Sequence, residues 1–386
     1  MTLDTLAGRF AYNDDHEAFR RTVRSFLERE GVPHVAAWEA ERLVPRDFWR
    51  KAGAIGMLCP SVAERYGGPG LDFGYNAVVD EEMAYAGVPA GFSLQSDIVV
   101  GYLEHYGSDE QKAQWLPRMV SGEVITAIAM TEPGTGSDLQ AIRTTARKDG
   151  NHYVLNGTKT YITNGQNTDL TLVVAKTDPD AIPAWKGMSI ILVESDRAGF
   201  RKGRNLDKIG QEAADTSELF FDDVRVPITH CLGEEGKGFT YLMSQLPQER
   251  LSIAISVQAS AQKAFDETVA FTKDRKAFAG VVFDFQNTRF VLAGLKAKLQ
   301  VEHDRQDALQ SALAAQIREL REHIAQEMAS LEELRAEQEA VQAEYAAFHA
   351  ERDALTAERD GFREDRDLWR ARAEALAKPL FQSVKA

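Results

Sequence analysis

The sequence predicts an α+β protein of several domains, in the order helices, strands, helices, followed by one very long helix. Apolar residues recur at helical spacing up to about residue 122, and short apolar runs separated by Asp-Gly, Asn-Gly and Gly-Thr turns follow to about residue 230. Helical spacing returns after Gly238, and neither Gly nor Pro occurs between Leu295 and Asp360. These changes of period separate helical regions from a strand-rich one.

The first domain, residues 1–122, is predicted to be helical. Apolar residues at helical spacing mark three segments, and Gly- and Pro-containing turns separate them. The predicted helices are Asp14–Glu30, Arg46–Leu58 and Tyr75–Ala86.

The second domain, residues 123–234, is predicted to be a β-domain. Because no helical pattern lies between its strands, an antiparallel sandwich or barrel is expected rather than a parallel sheet. No GxGxxG motif follows a strand, which argues against a nicotinamide-binding unit. The predicted strands are Val124–Met130, Tyr153–Asn156, Leu170–Ala175, Ser189–Val193 and Leu219–Phe221.

Residues 235–299 are predicted to start a C-terminal helical bundle, with helices over Tyr241–Asp274 and from about Phe285. Residues 300–378 are predicted to form a coiled-coil arm, and residues 379–386 a tail. In the arm an apolar seam repeats every seven residues and only a glutamate interrupts it: Leu313, Leu320, Glu327, Leu334, Val341, Phe348, Leu355, Phe362, Trp369, Leu376. A coiled coil within or between chains is favoured over a single amphipathic helix on a globular body.

The companion seam of the arm changes character along its length. It is apolar at first and then becomes polar, with three arginines in succession: Ile317, Ile324, Leu331, Gln338, Tyr345, Arg352, Arg359, Arg366, Ala373. The near half is therefore predicted to pack tightly, by self-association or in place of bundle helices, and the far half to be looser or to await a partner.

Composition excludes several classes of function. The 386-residue chain has a formal net charge of -14, which argues against a nucleic-acid surface. Its N-terminus lacks a secretory signal pattern, and no apolar run is long enough for a membrane span. The two cysteines, Cys59 and Cys231, lie far apart with no metal-ligand spacing, so neither a disulfide framework nor a metal site is expected. A cytoplasmic location is the expectation.

Two glycine- and threonine-rich motifs carry the most specific chemistry. The segment Ala129–Ala141 packs two glycines, two threonines and a serine into a loop after a strand, where backbone N–H groups and hydroxyls can wrap polar cofactor atoms. Together with Lys159–Gly165, at the matching spacing, it resembles the flavin loop and second flavin-contacting strand of the acyl-CoA dehydrogenase family. The segments Asp215–Pro227, Gly233–Phe239 and Arg275–Phe278 are also typical of that family.

The resemblance covers about residues 10–299. It implies an N-terminal helical domain, a central β-domain and a C-terminal four-helix bundle, assembled as a homo-oligomer, either a dimer or a tetramer. It also implies FAD as cofactor, an acyl-CoA thioester as substrate and electron-transfer flavoprotein as electron acceptor. Position by position, the residues that it assigns to the flavin are Ile128, Met130, Thr131, Gly136, Ser137, Tyr161, Ile162, Thr163, Arg275 and Gln286. Ser137 and Arg250 are assigned to the substrate.

The resemblance also assigns the catalytic base. Members of the family remove an α-proton from the thioester while the β-hydrogen leaves as hydride to the flavin. Branched-chain and long-chain types carry the base just before an arginine on the first long helix of the bundle, and Glu249 precedes Arg250 on that helix here. A helix-surface ion pair is the alternative for these two residues.

The family pattern ends at about Leu299. The later glycine-rich segment, which in the family donates a backbone N–H to the thioester oxygen, is not found in the sequence that follows. Two functions therefore remain open. One is an FAD-dependent acyl-CoA dehydrogenase, with activity impaired by this difference, and the other is a dehydrogenase-like scaffold with a coiled-coil interaction arm.

Overall fold

The computed structural model describes residues 12–382, without the side chains of 302–329, 331–333, 335–336 and 376–382. The predictions made for residues 1–11 and 383–386, and those for the seam side chains in these ranges, lie outside the described residues. The chain divides into two compact units between Leu309 and Gln310.

Helices make up the N-terminal part of the first unit, as predicted. Helix α1 begins after Asn13, whose side-chain oxygen accepts the backbone N–H groups of Asp15 and His16 at 3.0 Å each. Helical bonding then loosens into a π-helical turn over Leu27–Gly31, just before Pro33, which has no N–H to donate. The helices are α1 Asp14–Phe26, α2 Val35–Glu41, α3 Arg46–Ala54, α4 Phe73–Ala86, α5 Val100–Tyr106 and α6 Asp109–Val120.

A seven-stranded sheet follows, in the order β1-β4-β2-β3-β7-β6, with β5 paired to β4. The predicted β-domain is confirmed, but β1 runs parallel to β4, so the sheet is mixed rather than wholly antiparallel. Strands β2 and β6 were not among the predicted segments because they carry mostly charged side chains. The strands are β1 Thr126–Ala129, β2 Thr145–Asp149, β3 His152–Thr163, β4 Leu170–Lys176, β5 Met188–Glu194, β6 Phe200–Asn205 and β7 Thr216–Pro227.

The two faces of this sheet bury different sets of side chains. Strands β4 and β5 are buried on both faces, which explains their continuous apolar sequence. One face packs with the helical core, to which Leu172 and Ile190 belong. The other face forms a separate cluster with Val173, Ile191 and Leu219. The loops that leave β1 and β3 are thereby attached to a rigid support.

Two long helices complete the chain. Helix α7, Gly238–Asp274, runs beside α4, where Tyr85 donates to Asp266 at 3.0 Å. A two-stranded hairpin, β8 Lys276–Ala277 and β9 Gly280–Val281, leads to α8, Gln286–Gln382. The start of α8 packs on α7, with Leu292 buried. Within residues 12–382, no helix combines the length and apolarity needed to cross a membrane.

A pair of buried carboxyl groups links α4, α7 and the π-helical segment Leu94–Val99. Asp80 of α4 and Asp97 of the π-helical segment are both buried, and their carboxyls interact closely, so the negative charge of Asp97 disfavours ionisation of Asp80. Asn76 donates to Asp97, and Ser252 of α7 also reaches it. Burial raises the pKa of Asp80, and the negative charge of Asp97 raises it further. Protonation of Asp80 therefore relieves the repulsion between two carboxyls that are buried where α4 and the π-helical segment meet.

Asp80→Asn is expected to remove most of the pH dependence that this pair contributes to stability. A carboxyl whose pKa is raised on folding contributes fully below its ordinary value of 3.8, and this contribution is lost as pH rises through the folded pKa. The amide needs no proton to hydrogen-bond Asp97, so the free energy of unfolding of the variant should fall less as pH rises. Each tenfold difference in the proton affinity of Asp80 between the folded and the unfolded state changes the free energy of unfolding by about 1.4 kcal/mol.

The measurement is urea unfolding of both proteins between about pH 5 and pH 8. Asp196→Asn, at an exposed position, is the matched control and should follow the wild type. Identical pH slopes for Asp80→Asn and wild type would contradict a raised pKa of Asp80 in the folded protein.

Candidate active site

The loop after β1 is open on one side. Glu132 and Thr135 close a tight turn through two backbone hydrogen bonds, of 2.9 and 3.0 Å. A Cβ placed at Gly134 or Gly136 would have no neighbour within 4 Å among the described residues. Gly136 and Ser137 are exposed, while Ile128 is buried and Met130 and Thr131 are half-buried. The loop thus offers exposed backbone and hydroxyl groups on a strand end that is itself rigid.

A buried ion pair holds this loop to β3. The Lys159 ammonium, fully buried, donates to Glu132 Oε1 at 2.9 Å and to the Met130 carbonyl at 2.8 Å. Glu132 also accepts the backbone N–H groups of Arg143 at 2.6 Å and Thr144 at 2.9 Å. The ammonium thus has two acceptors and the carboxylate three donors, and a buried pair is tolerated when its charges are hydrogen-bonded in this way.

The two charges of this pair survive at neutral pH. Burial raises the pKa of Glu132, but the Lys159 charge and the N–H donors outweigh it, so the pKa of Glu132 lies below its ordinary value. Burial lowers the pKa of Lys159 to about 8, and Glu132 opposes this change without cancelling it. Because both pKa values leave the groups ionised at pH 7, the pair acts as a salt bridge there.

Strand β3 bulges next to Lys159 and turns an aromatic ring outward. The register against β7 shifts between Lys159 and Ile162, and Tyr161 lies in the left-handed region with φ of 60°. Such a backbone costs a bulky residue about 1–2 kcal/mol. The Tyr161 side chain is 69% exposed, whereas Ile162 is buried and Thr163 half-buried. A strained aromatic residue that faces outward is typical of a ligand site rather than of a folding requirement.

The loop and the bulge form one structural group. The backbone N–H of Thr160 donates to the Thr131 carbonyl at 3.0 Å, beside the Lys159 contact with Met130. The residues predicted from two separate motifs, 128–137 and 161–163, are thereby brought together.

Glu249 lies inside the helical region and not on its surface. It is buried on α7, and its Oε1 accepts a 2.7 Å hydrogen bond from the hydroxyl of Tyr102, which is fully buried on α5. Burial raises the pKa of Glu249, and the Tyr102 hydrogen bond and the Arg250 charge lower it in part. Burial and the negative charge of Glu249 raise the pKa of Tyr102, so its hydroxyl stays a donor. The helix-surface alternative for Glu249 does not hold, while the Arg250 side chain is exposed.

Polar and aromatic groups continue along α7 on the N-terminal side of Glu249. Gln245, one turn earlier, is buried, and its amide Nε2 contacts His105 Nδ1 at 3.2 Å. Gly101 leaves room for it, since a Cβ there would lie 3.0 Å from Gln245 Oε1. Tyr106 stacks on Tyr241 with ring centroids 3.9 Å apart. The buried Glu249 carboxylate, which accepts one hydrogen bond from Tyr102, is suited to accept a proton from carbon.

Arg275 and Gln286 lie apart from the loop. Both side chains are exposed, one at the end of α7 and the other at the start of α8. Within residues 12–382, no hydrogen bond or ion pair joins either side chain to the loop at 130–137. The structure of one chain therefore leaves these two predicted positions without the contacts expected of them.

Sequence reasoning missed the partners that orient the site. Tyr102 is 147 residues away from Glu249, and no local pattern distinguishes it from other buried tyrosines. Glu132 and Lys159 each lie in one of the two motifs, but the sequence does not identify them as an ion pair. The signal available was chemical, because a lysine whose side chain is buried in a strand needs an anion nearby.

Comparisons with known proteins agree with this geometry. Three family models match in order: the acyl-CoA dehydrogenase N-terminal domain at residues 13–123, the middle domain at 127–224 and the C-terminal domain at 236–347. The third extends past residue 299, where the motifs placed the end of the resemblance, into the first part of the arm.

Individual proteins give the same result. The long-chain specific acyl-CoA dehydrogenase, mitochondrial, of Sus scrofa is 49% identical over 291 residues, which cover 75% of this chain and 68% of that protein. A crystal structure of acyl-CoA dehydrogenase from Geobacillus kaustophilus matches with a TM-score of 0.78 at 48% identity, covering 79% of this chain and 80% of that one. A glutaryl-CoA dehydrogenase from Mycobacterium smegmatis, solved in complex with FADH2, matches with a TM-score of 0.72 at 30% identity, covering 80% and 78%. With its helix–strand–helix order and this degree of identity, the chain belongs to the acyl-CoA dehydrogenase family.

Proposed function

We propose that this protein is an FAD-dependent acyl-CoA dehydrogenase that introduces an α,β double bond into an acyl-CoA thioester, with Glu249 as the base. The observation that carries the proposal is the buried Glu249 carboxyl, oriented by the 2.7 Å hydrogen bond from Tyr102. The relative from Sus scrofa named as long-chain specific supports an acyl-CoA substrate.

The residues present fit FAD. The open backbone at Gly134 and Gly136 lets an extended polar group approach closely, and the outward ring of Tyr161 offers an aromatic surface beside it. Ile128, Met130, Thr131, Gly136, Ser137 and Tyr161–Thr163 would hold the cofactor. When bound, FAD supplies the acceptor for the hydride that leaves the substrate β-carbon. Ser137 and Arg250 are the proposed substrate contacts.

The chain's own residues account for the proton half of the reaction. Tyr102 occupies Oε1 of Glu249, and no other described residue donates to Oε2, so Oε2 is the atom left to take the α-proton. Burial raises the pKa of Glu249 and so makes the carboxylate a stronger base than an exposed one. The tyrosine hydroxyl keeps the carboxylate in place while the proton moves.

Arg275 and Gln286 enter the proposal through a second subunit. Both are exposed and have no contact with the loop of their own chain, so we assign them to the cofactor of a neighbouring copy in a homo-oligomer, a dimer or a tetramer. Electron-transfer flavoprotein as acceptor and a cytoplasmic location stay predictions of the same proposal.

Glu249→Gln tests the base directly. The amide keeps the shape and the Tyr102 contact but cannot take a proton, so the rate of flavin bleaching by an acyl-CoA without oxygen should fall by about 10²–10⁴-fold or more, with FAD content unchanged. Glu267→Gln, an exposed position on the same helix, is the matched control and should bleach normally. Equal bleaching in both variants would refute Glu249 as base, and none in the wild type would favour the scaffold alternative.

Tyr102→Phe should shift the pH profile of bleaching. The Tyr102 hydrogen bond lowers the pKa of Glu249, so its removal should raise that pKa, and the rate should then need a higher pH to reach its plateau. The sign follows because only the ionised carboxylate accepts the α-proton. Tyr85→Phe removes a comparable hydroxyl contact, to Asp266 on the same helix, and should leave the profile unchanged. A pH profile of bleaching that is unchanged in Tyr102→Phe, or shifted to lower pH, would contradict this role.

Lys159→Met should weaken both stability and FAD binding. It leaves Glu132 buried without its cation, at a cost of about 3–5 kcal/mol in the free energy of unfolding, and it frees the loop that would hold the cofactor. The double variant Lys159→Met with Glu132→Gln removes both charges and should recover much of the stability. Urea unfolding and FAD titration measure the two effects. A double variant as unstable as the single one would show that the pair itself is not the cause.

A further inference from the structure

The far part of α8 exposes a continuous apolar seam. Six side chains at seven-residue intervals are each between 59% and 68% exposed: Leu334, Val341, Phe348, Leu355, Phe362 and Trp369. A contiguous strip of this kind associates in water. A straight helix would drift by about 20° per seven residues from such a strip, so a strict seven-residue repeat favours a partner helix wound around it.

Arginines flank the seam at the companion positions. Arg352, Arg359 and Arg366 each stand three residues before a seam residue, which is the place of the second core position of a heptad. Each guanidinium is held by the aspartate that follows it, with N–O distances of 2.7, 2.8 and 2.9 Å. Their charge is therefore partly compensated within the helix, and the arginines act as polar layers that select register instead of excluding pairing.

The charges on the two borders of the seam decide the direction of the partner. One border consists of the residues four positions before each of the seam residues from Phe348 to Trp369, and these are acidic. The other border consists of the residues one position after each of the same seam residues, and these are neutral or basic. The acidic border is Glu344, Glu351, Glu358 and Asp365, and the other border is His349, Thr356, Arg363 and Arg370.

These borders complement each other only in a parallel pair. In parallel two-stranded coiled coils the acidic border of one helix meets the opposite border of the other, five residues further along. Glu358 then faces Arg363 of the second copy, and Asp365 faces Arg370. In an antiparallel pair, like borders meet, so that the acidic groups of the two copies oppose each other and the arginines of the other border find no acidic group there.

The core arginines also find anions in a parallel pair. At the core position of the arginines, a side chain inserts into a hole that includes the border residue just before its equivalent in the second copy. Arg359 then packs beside Glu358 of the other helix, and Arg366 beside Asp365. A polar core residue of this kind specifies register and the number of strands at some cost in stability.

We propose that the segment 334–369 of α8 pairs with the same segment of a second copy as a parallel, in-register, two-stranded coiled coil. Phe348, Leu355, Phe362 and Trp369 form its seam, and the Glu358–Arg363 and Asp365–Arg370 contacts between copies set its direction. The partner is thus a second copy of this chain, and the proposal does not depend on the catalytic function.

Cysteine cross-linking of the full-length chain tests the pairing and its direction. Phe348→Cys and Phe362→Cys, made separately and oxidised mildly, should each give a covalent dimer in high yield, because equal positions meet in a parallel, in-register pair. In an antiparallel pair, at most one of these two positions lies opposite the same position in the second copy. Ala350→Cys and Ala357→Cys lie on the outer face and are matched controls that should cross-link several-fold less. The wild-type protein, which contains Cys59 and Cys231, shows how much cross-linking occurs without an added cysteine. Cross-linking at only one seam position, or equally at the controls, would overturn the proposal.

Charge reversal then tests the contacts between copies. In the Phe348→Cys background, Glu358→Arg or Arg363→Glu alone should lower the dimer yield several-fold at low salt, and the two together should restore it. Residues five apart do not face each other on one helix, so rescue in the double variant reports a contact between chains. Glu364→Arg, on the outer face, is the charge control and should have little effect. Failure of the double variant to recover the yield would refute the parallel register.

Discussion

The buried contact between Lys159 and Glu132 is the interaction on which the candidate site depends. It joins the loop after β1 to the strand that carries Tyr161, two segments that no other charged contact connects among the described residues. A fully buried ammonium is costly unless its donors are satisfied, and here the carboxylate and the Met130 carbonyl satisfy them. Because the carboxylate is further held by two backbone N–H groups, the loop has little freedom to move away. The open, glycine-containing part of the loop is thus supported from beneath by a rigid polar anchor.

The same balance of burial and compensation sets the chemistry at Glu249. Withdrawal from water raises the pKa of its carboxyl, which favours proton abstraction, and a single hydroxyl donor from Tyr102 limits the rise and orients the group. Asp80 and Asp97 show another outcome of burial, since the pKa of both carboxyls is raised and the charge of Asp97 disfavours ionisation of Asp80. Burial therefore has different results in one protein: a salt bridge where a cation is present, as at Glu132, and a raised pKa where the carboxyl has no cation that fully compensates it, as at Glu249 and Asp80.

The arm obeys a different rule from the globular part of the chain. In the sheet and its helices, apolar side chains form two buried clusters, and buried charged groups such as Lys159 have partners. Along 334–369 the apolar side chains are exposed at a fixed interval, and the charges are sorted by border. Local ion pairs such as Arg352–Asp353 compensate charge without covering the seam. The family models end at residue 347, so most of this segment lies beyond them, and its behaviour is inferred from its seven-residue repeat.

By itself, the sequence determined the order of helices, strands and helices, the two motifs, and the place of Glu249 before Arg250 on a long helix. These features rest on spacing within one segment, where the period of a helix or strand dictates which side chains share a face. Only the tertiary structure decided that β1 runs parallel to β4, that Tyr102 holds Glu249 from 147 residues away, and that the loop is anchored through a buried lysine. Spacing along the chain does not constrain such contacts, because they depend on how separate elements pack and on which buried polar group each must find as its partner.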